Sequence, residues 1–238
     1  MPADQERKRI MESLLEKDLA LFPHLMESMH EFHHLTALFP VCHPGEALHE
    51  TEALRFLMRH KEDKLTVPLI LAADQVLKEG TRISAGFKTR RIIVENSYNS
   101  DFYIPVSPED TPSAVAALCT QYSFLNEKNP DHISDILHFL LDFICIHTMT
   151  NGNGRLSILL TQFLMQKNGY DCALYLPLDG VLYSQNRRRM HQRIRQASGC
   201  YYGQKPMEYS TFVSFMMKVI EQAYSCLEIT IQEFNLVL

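Results

Sequence analysis

The sequence predicts an all-α domain with a small inserted β-hairpin. Apolar residues recur at helical spacing along most of the chain, whereas strand signals are confined to residues 91–104. Of the 238 residues, 46% are hydrophobic, which is enough for a well-packed core. We find no internal repeat, low-complexity tract or linker that would divide the chain.

Four helices are predicted before the hairpin. The first is expected to stop near Pro23, because proline lacks the N–H that a helix interior needs. A second is predicted over 24–39 and a third over 48–59. Thr66 is a plausible N-cap for the fourth, which ends at Gly80.

The hairpin and five further helices make up the rest of the chain. Residues 91–95 and 102–104 are rich in β-branched and aromatic side chains, and a polar loop over 96–100 joins them. The later helices are predicted from Thr111 to about Asn126, from Ile133 to His147, from Leu156 to Lys167, over 179–197 and over 209–228.

Composition limits the class of protein. The net charge of −5 argues against nucleic-acid binding through a global basic field. The six cysteines form no CxxC pair, which indicates reduced thiols rather than a disulfide framework or a zinc site. No apolar run reaches the roughly 18 residues of a membrane span, and no secretory h-region is present. We expect a cytoplasmic protein and leave open its delivery as an effector by a system without a cleaved signal.

One loop carries the strongest functional signal. It runs from His147 at the end of an apolar helix to Arg155 near the start of the next, and it includes Gly152, Asn153 and Gly154. Glycines allow positive φ, N–H groups at a helix N-terminus attract anions, and arginine forks onto phosphate. A histidine of ordinary pKa abstracts protons near neutrality. The pattern indicates a phosphate site beside a general base; a tight turn with a buried histidine is the alternative.

These residues resemble the motif of the Fic family, His-Pro-Phe-x-Asp/Glu-Gly-Asn-Gly-Arg-x-x-Arg. Residues 85–90 resemble the start of the family's flap hairpin, and residues 103–108 resemble its end. Within the family, the chain resembles a bacterial branch with a Gly-Asn-Gly-Arg-Leu-Ser motif. The resemblance covers roughly residues 48–228. It implies the helical Fic fold there, with a helical extension over 1–47 and a C-terminal tail over 229–238.

The resemblance implies a reaction, the transfer of a nucleoside monophosphate, usually AMP from ATP, to a protein hydroxyl. His147 would be the general base for a Ser, Thr or Tyr hydroxyl. The main-chain N–H groups of Asn153 and Gly154 would stabilise the transferred phosphoryl group. Gly152 and Arg155 would complete the phosphate site.

The flap hairpin is expected to dock the target. The resemblance implies that it clamps the target backbone by strand addition, and Ile92, Ile93 and Val94 are the candidate docking residues. The expected partners are therefore a nucleotide and a protein substrate, with no nucleic acid and no membrane span. Whether the chain forms a homodimer stays open.

Two positions depart from the family's motif. Asn151 stands where an acidic residue usually helps to hold Mg²⁺, and an amide oxygen is a weaker ligand for that cation, so metal use is open. Ile158 replaces the second arginine, and its loss removes a charge-assisted contact worth about 1.5–3 kcal/mol. The donor therefore stays open among ATP, UTP, GTP and a diphosphate donor such as CDP-choline. The alternative is a catalytically impaired Fic fold that acts as a binding or regulatory module.

The family's self-inhibitory helix has only a poor counterpart here. Its glutamate would be Glu46, in a segment that begins at Cys42 and contains Pro44. Because Ile158 leaves no second arginine for this glutamate to neutralise, we expect that mode of inhibition to be absent.

A second motif points to different chemistry. Residues 30–34 spell HExxH, in which His30 and His34 would share a helix face as zinc ligands and Glu31 would be the base. A chance match is easily made in a chain with 11 histidines, and no third ligand is evident. A zinc protease is therefore a minor alternative.

Overall fold

The computed structural model describes residues 2–31, 47–96, 99–182, 186–198 and 206–237. These residues are mostly helical, which confirms the predicted all-α class. The helices are α1 (Pro2–Glu31), α2 (Ala47–Arg59), α3 (Val67–Lys78), α4 (Thr111–Gln121), α5 (Ile133–Ile146), α6 (Asn153–Lys167), α7 (Leu178–Val181), α8 (Arg187–Ser198) and α9 (Tyr209–Val237). The strands are β1 (Val94–Asn96) and β2 (Asn99–Tyr103).

Helices α5 and α6 form the centre of the core. Nearly all of α5 from Ile136 to Ile146 is buried, and so is α6 from Leu156 to Met165. A helix that is apolar on every face is stable only when other elements surround it. Here α5 and α6 pack on each other, α2 and α3 cover α6, and α9 covers α5. The loop between the two central helices is therefore held at both ends by buried structure.

Helix α1 continues through Pro23, where the sequence predicted its end. The proline removes one hydrogen bond, which leaves the carbonyl of Leu19 without its intrahelical partner. Both residues face solvent, and 62% of the Leu19 surface is exposed, so water can satisfy that carbonyl. The helix predicted over 24–39 was therefore wrong in part. Its first residues belong to α1, and residues 32–39 lie outside the described ranges.

Asp18 fastens α1 to the rest of the domain. Its buried carboxylate accepts hydrogen bonds from the main-chain N–H of Asp171 at 2.7 Å and of Cys172 at 2.9 Å. The hydroxyl of Tyr224 on α9 donates a third at 2.6 Å. Burial raises the pKa of Asp18 despite these donors. One side chain thus joins the first helix, the loop after α6 and the last helix.

Several boundaries differ from the predicted ones. Helix α6 begins at Asn153 rather than Leu156, because Gly152 adopts the left-handed conformation as its N-cap. Within the segment predicted as one helix over 179–197, the structure describes α7 and α8, and residues 183–185 between them lie outside the described ranges. Helix α9 continues past residue 228. The Thr66 hydroxyl caps α3 as predicted, by accepting from the N–H of Leu69 at 3.5 Å.

The two short strands pair antiparallel, with Val94 opposite Tyr103. Ile92 and Ile93 precede β1 and do not lie in it, and Ile93 is 56% exposed. Tyr103 is buried and brings the end of β2 against α5. The use of this segment as a target-docking flap stays a prediction. Within the described ranges, no helix is both long and apolar enough to cross a bilayer.

Candidate active site

His147 ends α5 in an unusual backbone conformation. It is the C-cap, with φ 53° and ψ 62°, and its N–H still donates to the carbonyls of Phe143 and Ile144. A left-handed conformation costs a non-glycine residue about 1–2 kcal/mol. It is the one non-glycine residue with positive φ in the described part of the chain. Such local strain persists only where surrounding contacts impose it.

Tyr103 contacts the imidazole of His147. Its hydroxyl donates its single proton to the carbonyl of Ile144 at 2.8 Å, and its oxygen lies 3.5 Å from Nδ1 of His147. The phenol oxygen can therefore only accept from Nδ1. These partners favour the tautomer with hydrogen on Nδ1, which leaves the lone pair on Nε2 available for a proton.

Lys88 lies behind the main chain of His147. Its Nζ donates to the carbonyl of Ile146 at 2.6 Å and to that of His147 at 2.8 Å. Its N–H donates to the carbonyl of Thr148 at 3.0 Å, and the neighbouring Phe87 forms an antiparallel bridge with Met149. The segment before the flap thus runs along the start of the loop and fixes it.

Burial, and to a smaller extent the charge of Lys88, keeps His147 uncharged. Burial, with a contribution from the charge of Lys88, lowers the pKa of His147 from 6.5 to about 4. Burial also lowers the pKa of Lys88 from 10.5 to about 8. At neutral pH the histidine is therefore a neutral base, and the lysine is mostly a cation.

The side chain of Asn153 closes the loop. Its Oδ1 accepts from the N–H of Met149 at 2.7 Å, and its Nδ2 donates to the carbonyl of the same residue at 2.8 Å. Asn153 is buried, so this pair of hydrogen bonds is shielded from water. The asparagine of the Gly-Asn-Gly-Arg motif therefore has a structural use that its spacing did not reveal.

The loop ends at the N-terminus of α6. Gly152 has φ 80°, and Leu156 is the first residue to donate back into the helix, to the carbonyl of Gly152 at 2.9 Å. The main-chain N–H groups of Asn153 and Gly154 precede it, in the turn where a helix offers no internal acceptor. Together with the helix dipole, these groups provide the donors and the partial positive charge that an anion site requires.

Arg155 folds towards Gly152 and towards α2. A Cβ built on Gly152 would lie 3.8 Å from Nη2 of Arg155. The Arg155 Nε lies 3.8 Å from Oε1 of Glu50, and both side chains are mostly buried. The arginine of the motif therefore already has a carboxylate beside it.

Helix α3 brings a second cation beneath the loop. The same Cβ on Gly152 would lie 3.7 Å from Cε of Lys78. The Lys78 ammonium pairs with Oδ1 of Asp74 at 2.7 Å, and both groups are buried. The other oxygen of Asp74 accepts from the N–H of Gly86 at 2.8 Å, so this ion pair connects the segment before the flap to the underside of the loop.

Around the loop, the described residues do not form a protein site for a metal. Asn151, the predicted ligand, is exposed, and its Oδ1 accepts from the N–H of Gly152 at 2.6 Å. Across the described ranges, no three His, Cys, Asp or Glu side chains converge as a metal site. A single amide oxygen engaged in this way does not hold Mg²⁺ unless other ligands, such as phosphates and water, supply most of the coordination.

The structure brings His147 and residues 151–155 into one loop. Ile158 is buried in α6 with 2% of its surface exposed, so no cation stands at the position of the family's second arginine. Glu46 and most of the HExxH segment lie outside the described residues.

Four residues of the site were missed by sequence reasoning, namely Glu50, Lys78, Lys88 and Tyr103. Lys88 and Tyr103 stood inside the segments that resembled the two ends of the flap, so that resemblance was the available signal. No sequence signal pointed to Glu50 or Lys78.

Two solved structures share this fold. One is a Fic domain-containing signaling protein from Bacteroides thetaiotaomicron VPI-5482, with a TM-score of 0.65 and 16% identity over 95% of this chain and 97% of that one. The other is a Fic family protein from Desulfovibrio desulfuricans G20, with a TM-score of 0.61 and 17% identity over 97% of this chain and 69% of that one. These likenesses establish a helical domain with the Fic fold.

One region of the sequence matches a family model. Residues 64–165 match the model of the Fic/DOC family, and this region contains both the flap segment and the loop from His147 to Arg155. The chain therefore carries a Fic/DOC-family region, as the resemblance predicted. Comparison with curated proteins finds no match. Membership of the bacterial branch stays a prediction.

Proposed function

We propose that the chain is a nucleotidyltransferase that moves AMP from ATP to a Ser, Thr or Tyr hydroxyl of a protein. One observation carries the proposal: a single loop joins an uncharged histidine to the anion-binding N-terminus of α6. A base that takes a proton beside a site that holds phosphate is what attack of a hydroxyl on phosphorus requires.

In the proposed reaction, the acceptor hydroxyl attacks the α-phosphorus of ATP. A new P–O bond forms, the bond to the β-phosphate oxygen breaks, and pyrophosphate leaves. Nε2 of His147 takes the hydroxyl proton, which the tautomer favoured by Tyr103 permits. The N–H groups of Asn153 and Gly154 stabilise the charge that develops on the transferred phosphoryl group. Arg155 adds a charge-assisted contact.

The leaving phosphates have fewer contacts. In the family that the loop resembles, an arginine at the position of Ile158 binds the β- and γ-phosphates. Ile158 offers these phosphates no charge. The donor is therefore the least constrained part of the proposal, and other nucleoside triphosphates and diphosphate donors belong in its test. Mg²⁺ would be held through the phosphates of the donor, with Asn151 as at most one ligand.

The acceptor protein is proposed to dock on the segment around β1. Ile93 is exposed, and Ile92 and Val94 are half-buried, so this segment offers an apolar edge beside the base. A strand of the acceptor added at this edge would bring its hydroxyl towards His147.

The experiment is a transfer assay with donors labelled on the phosphate that would be transferred. The purified chain is incubated with cell lysate and each donor, with Mg²⁺ or with EDTA. We expect protein-bound label, reduced about 100-fold or more in His147→Ala. His24→Ala, an exposed histidine on α1, is the control and keeps the activity.

Two outcomes contradict the proposal. Label that survives in His147→Ala would remove the histidine from the mechanism. An absence of label with every donor would favour the alternative, a Fic fold that binds without transferring.

A further inference from the structure

We propose that Lys88 is a positioning residue for His147, whose buried ammonium group holds the base in its productive conformation and keeps a positive charge beside it. The catalytic importance of this contact rests on the proposed function. The contact itself rests on the geometry alone.

Lys88 donates hydrogen bonds to three consecutive carbonyls around the base, two from its side chain and one from its main chain. Its Nζ lies 2.6 Å from the oxygen of Ile146 and 2.8 Å from that of His147, and its N–H reaches the oxygen of Thr148 at 3.0 Å. The side chain is only 2% exposed. No other described residue places a charged group on the main chain of His147.

These contacts impose the backbone conformation of the base. The carbonyls at the C-terminus of α5 lack intrahelical partners and form the negative end of the helix dipole. A cation there stabilises the chain reversal at His147, whose φ of 53° is unfavourable for a residue with a Cβ. Without the ammonium group, His147 is expected to relax and its imidazole to move away from Tyr103.

The positive charge has a second consequence, because it opposes protonation of the imidazole. Tyr103 from β2 is the other titratable group in contact with His147, and it is neutral because burial raises its pKa well above 10. Asp142, on α5, is engaged by the hydroxyls of Tyr122 and Tyr209. On α6, Arg155 has Glu50 beside it. Lys88 is therefore the charge that acts most directly on the base.

A purely structural cap would not need this charge. Burying an ammonium group without a carboxylate partner is unfavourable, and Lys88 forms no ion pair with any residue in the described ranges. A neutral donor would satisfy the same carbonyls at lower cost. The retained charge is explained if it holds these carbonyls, and with them the base, more firmly than a neutral donor would. It also adds to the burial that keeps the resting imidazole neutral.

The decisive measurement is the titration of His147 by NMR in protein labelled at the histidine ring carbons, with His147→Gln used to assign its signal. In Lys88→Met we expect the His147 titration to rise from about 4 and to stay below 6.5, because burial is the larger cause of the low pKa. Lys88→Arg keeps a charge and donors, so it should leave the titration low. Lys64→Met, an exposed lysine before α3, is the matched control and should change nothing.

The transfer assay provides the second readout. Lys88→Met should lower kcat by about 10–100-fold through misplacement of the base, with a smaller change in KM for the nucleotide. The acid side of its pH–rate profile should move to higher pH, and Lys88→Arg should restore part of the activity. If Lys88→Met does not fold, Lys88→Gln removes the charge and retains a donor.

The inference is overturned if His147 titrates as in the wild type when folded Lys88→Met or Lys88→Gln is examined. A loss of thermal stability with an unchanged titration would make Lys88 a structural cap only. The two proposals fail separately, because the NMR titration needs no turnover. Even if the protein transfers no nucleotide, the NMR titration shows whether Lys88 affects the pKa of His147.

Discussion

Oε1 of Glu50 lies 3.8 Å from Nε of Arg155, so a carboxylate of α2 stands beside the arginine that we propose binds the phosphates of a nucleotide. Both side chains are mostly buried, which strengthens their interaction relative to a surface pair. A bound phosphate must share this guanidinium with Glu50 or displace it. In the family that the loop resembles, the inhibitory glutamate acts on a different arginine, at the position of Ile158 in this chain.

Removing the Glu50 charge should therefore strengthen nucleotide binding. We expect Glu50→Gln to lower the Kd for ATP by about 3–10-fold, with a larger effect at low salt because the competing group is a charge. Calorimetric titration measures this directly. Glu52→Gln, which removes an exposed carboxylate paired with Arg55, is the control. Weaker binding in Glu50→Gln would instead make Glu50 a support that orients Arg155.

Asn153 should matter through its side chain as well as its N–H group. Asn153→Ala removes both hydrogen bonds to Met149 and leaves two buried main-chain groups unpaired, at a cost of about 2–4 kcal/mol in loop stability. We expect nucleotide binding to weaken at least tenfold by calorimetry. Asn151→Ala, two residues earlier and exposed, should change affinity less than threefold. Equal losses in the two variants would contradict this division of roles.

How far the sequence predicted this site depends on the range of each contact. The loop from His147 to Arg155 joins neighbouring helices, so its spacing alone predicted a base and an anion site at one helix end. Lys88 and Glu50 reach the loop from distant segments. The resemblance to the flap drew attention to the segment around Lys88 but not to its contact with the loop, and nothing local distinguishes Glu50 from a surface charge. Their burial follows from packing across the whole fold, which a single sequence does not encode visibly.

The same distinction holds for the fold. Strongly periodic apolar segments, such as α5, were predicted almost to the residue because burial on every face leaves little choice. Pro23 misled the prediction, since a proline need not end a helix when the carbonyl that it leaves unpaired, here that of Leu19, faces solvent. That exposure depends on how α1 lies on α9, which the local sequence does not specify.

Activity should persist in mild acid. The pKa of His147 is lowered to about 4, mainly by burial and further by Lys88, so the base stays unprotonated well below neutrality. We expect the rate of transfer to stay nearly constant from pH 7 to pH 5 and to fall only near pH 4. A pH–rate profile under saturating nucleotide, with circular dichroism as a control for folding, tests this. A half-maximal rate near 6.5 would show that the histidine has its ordinary pKa.

Asp18 should be among the most important polar groups for stability. Asp18→Ala leaves the N–H groups of Asp171 and Cys172 and the hydroxyl of Tyr224 without their acceptor. We expect the free energy of unfolding to fall by about 3 kcal/mol, measured by urea denaturation. Glu16→Ala, on the exposed side of α1, should change it by less than about 0.5 kcal/mol. A similar loss in both variants would contradict the special role of Asp18.

The most direct test of the proposed chemistry compares two labels on the same donor. ATP labelled on the α-phosphate and ATP labelled on the γ-phosphate are each incubated with the protein and a lysate. The proposed mechanism predicts protein-bound label from the α-phosphate alone, with pyrophosphate released and the signal lost in His147→Ala. Protein-bound label from the γ-phosphate, or α-label that persists without His147, would contradict it.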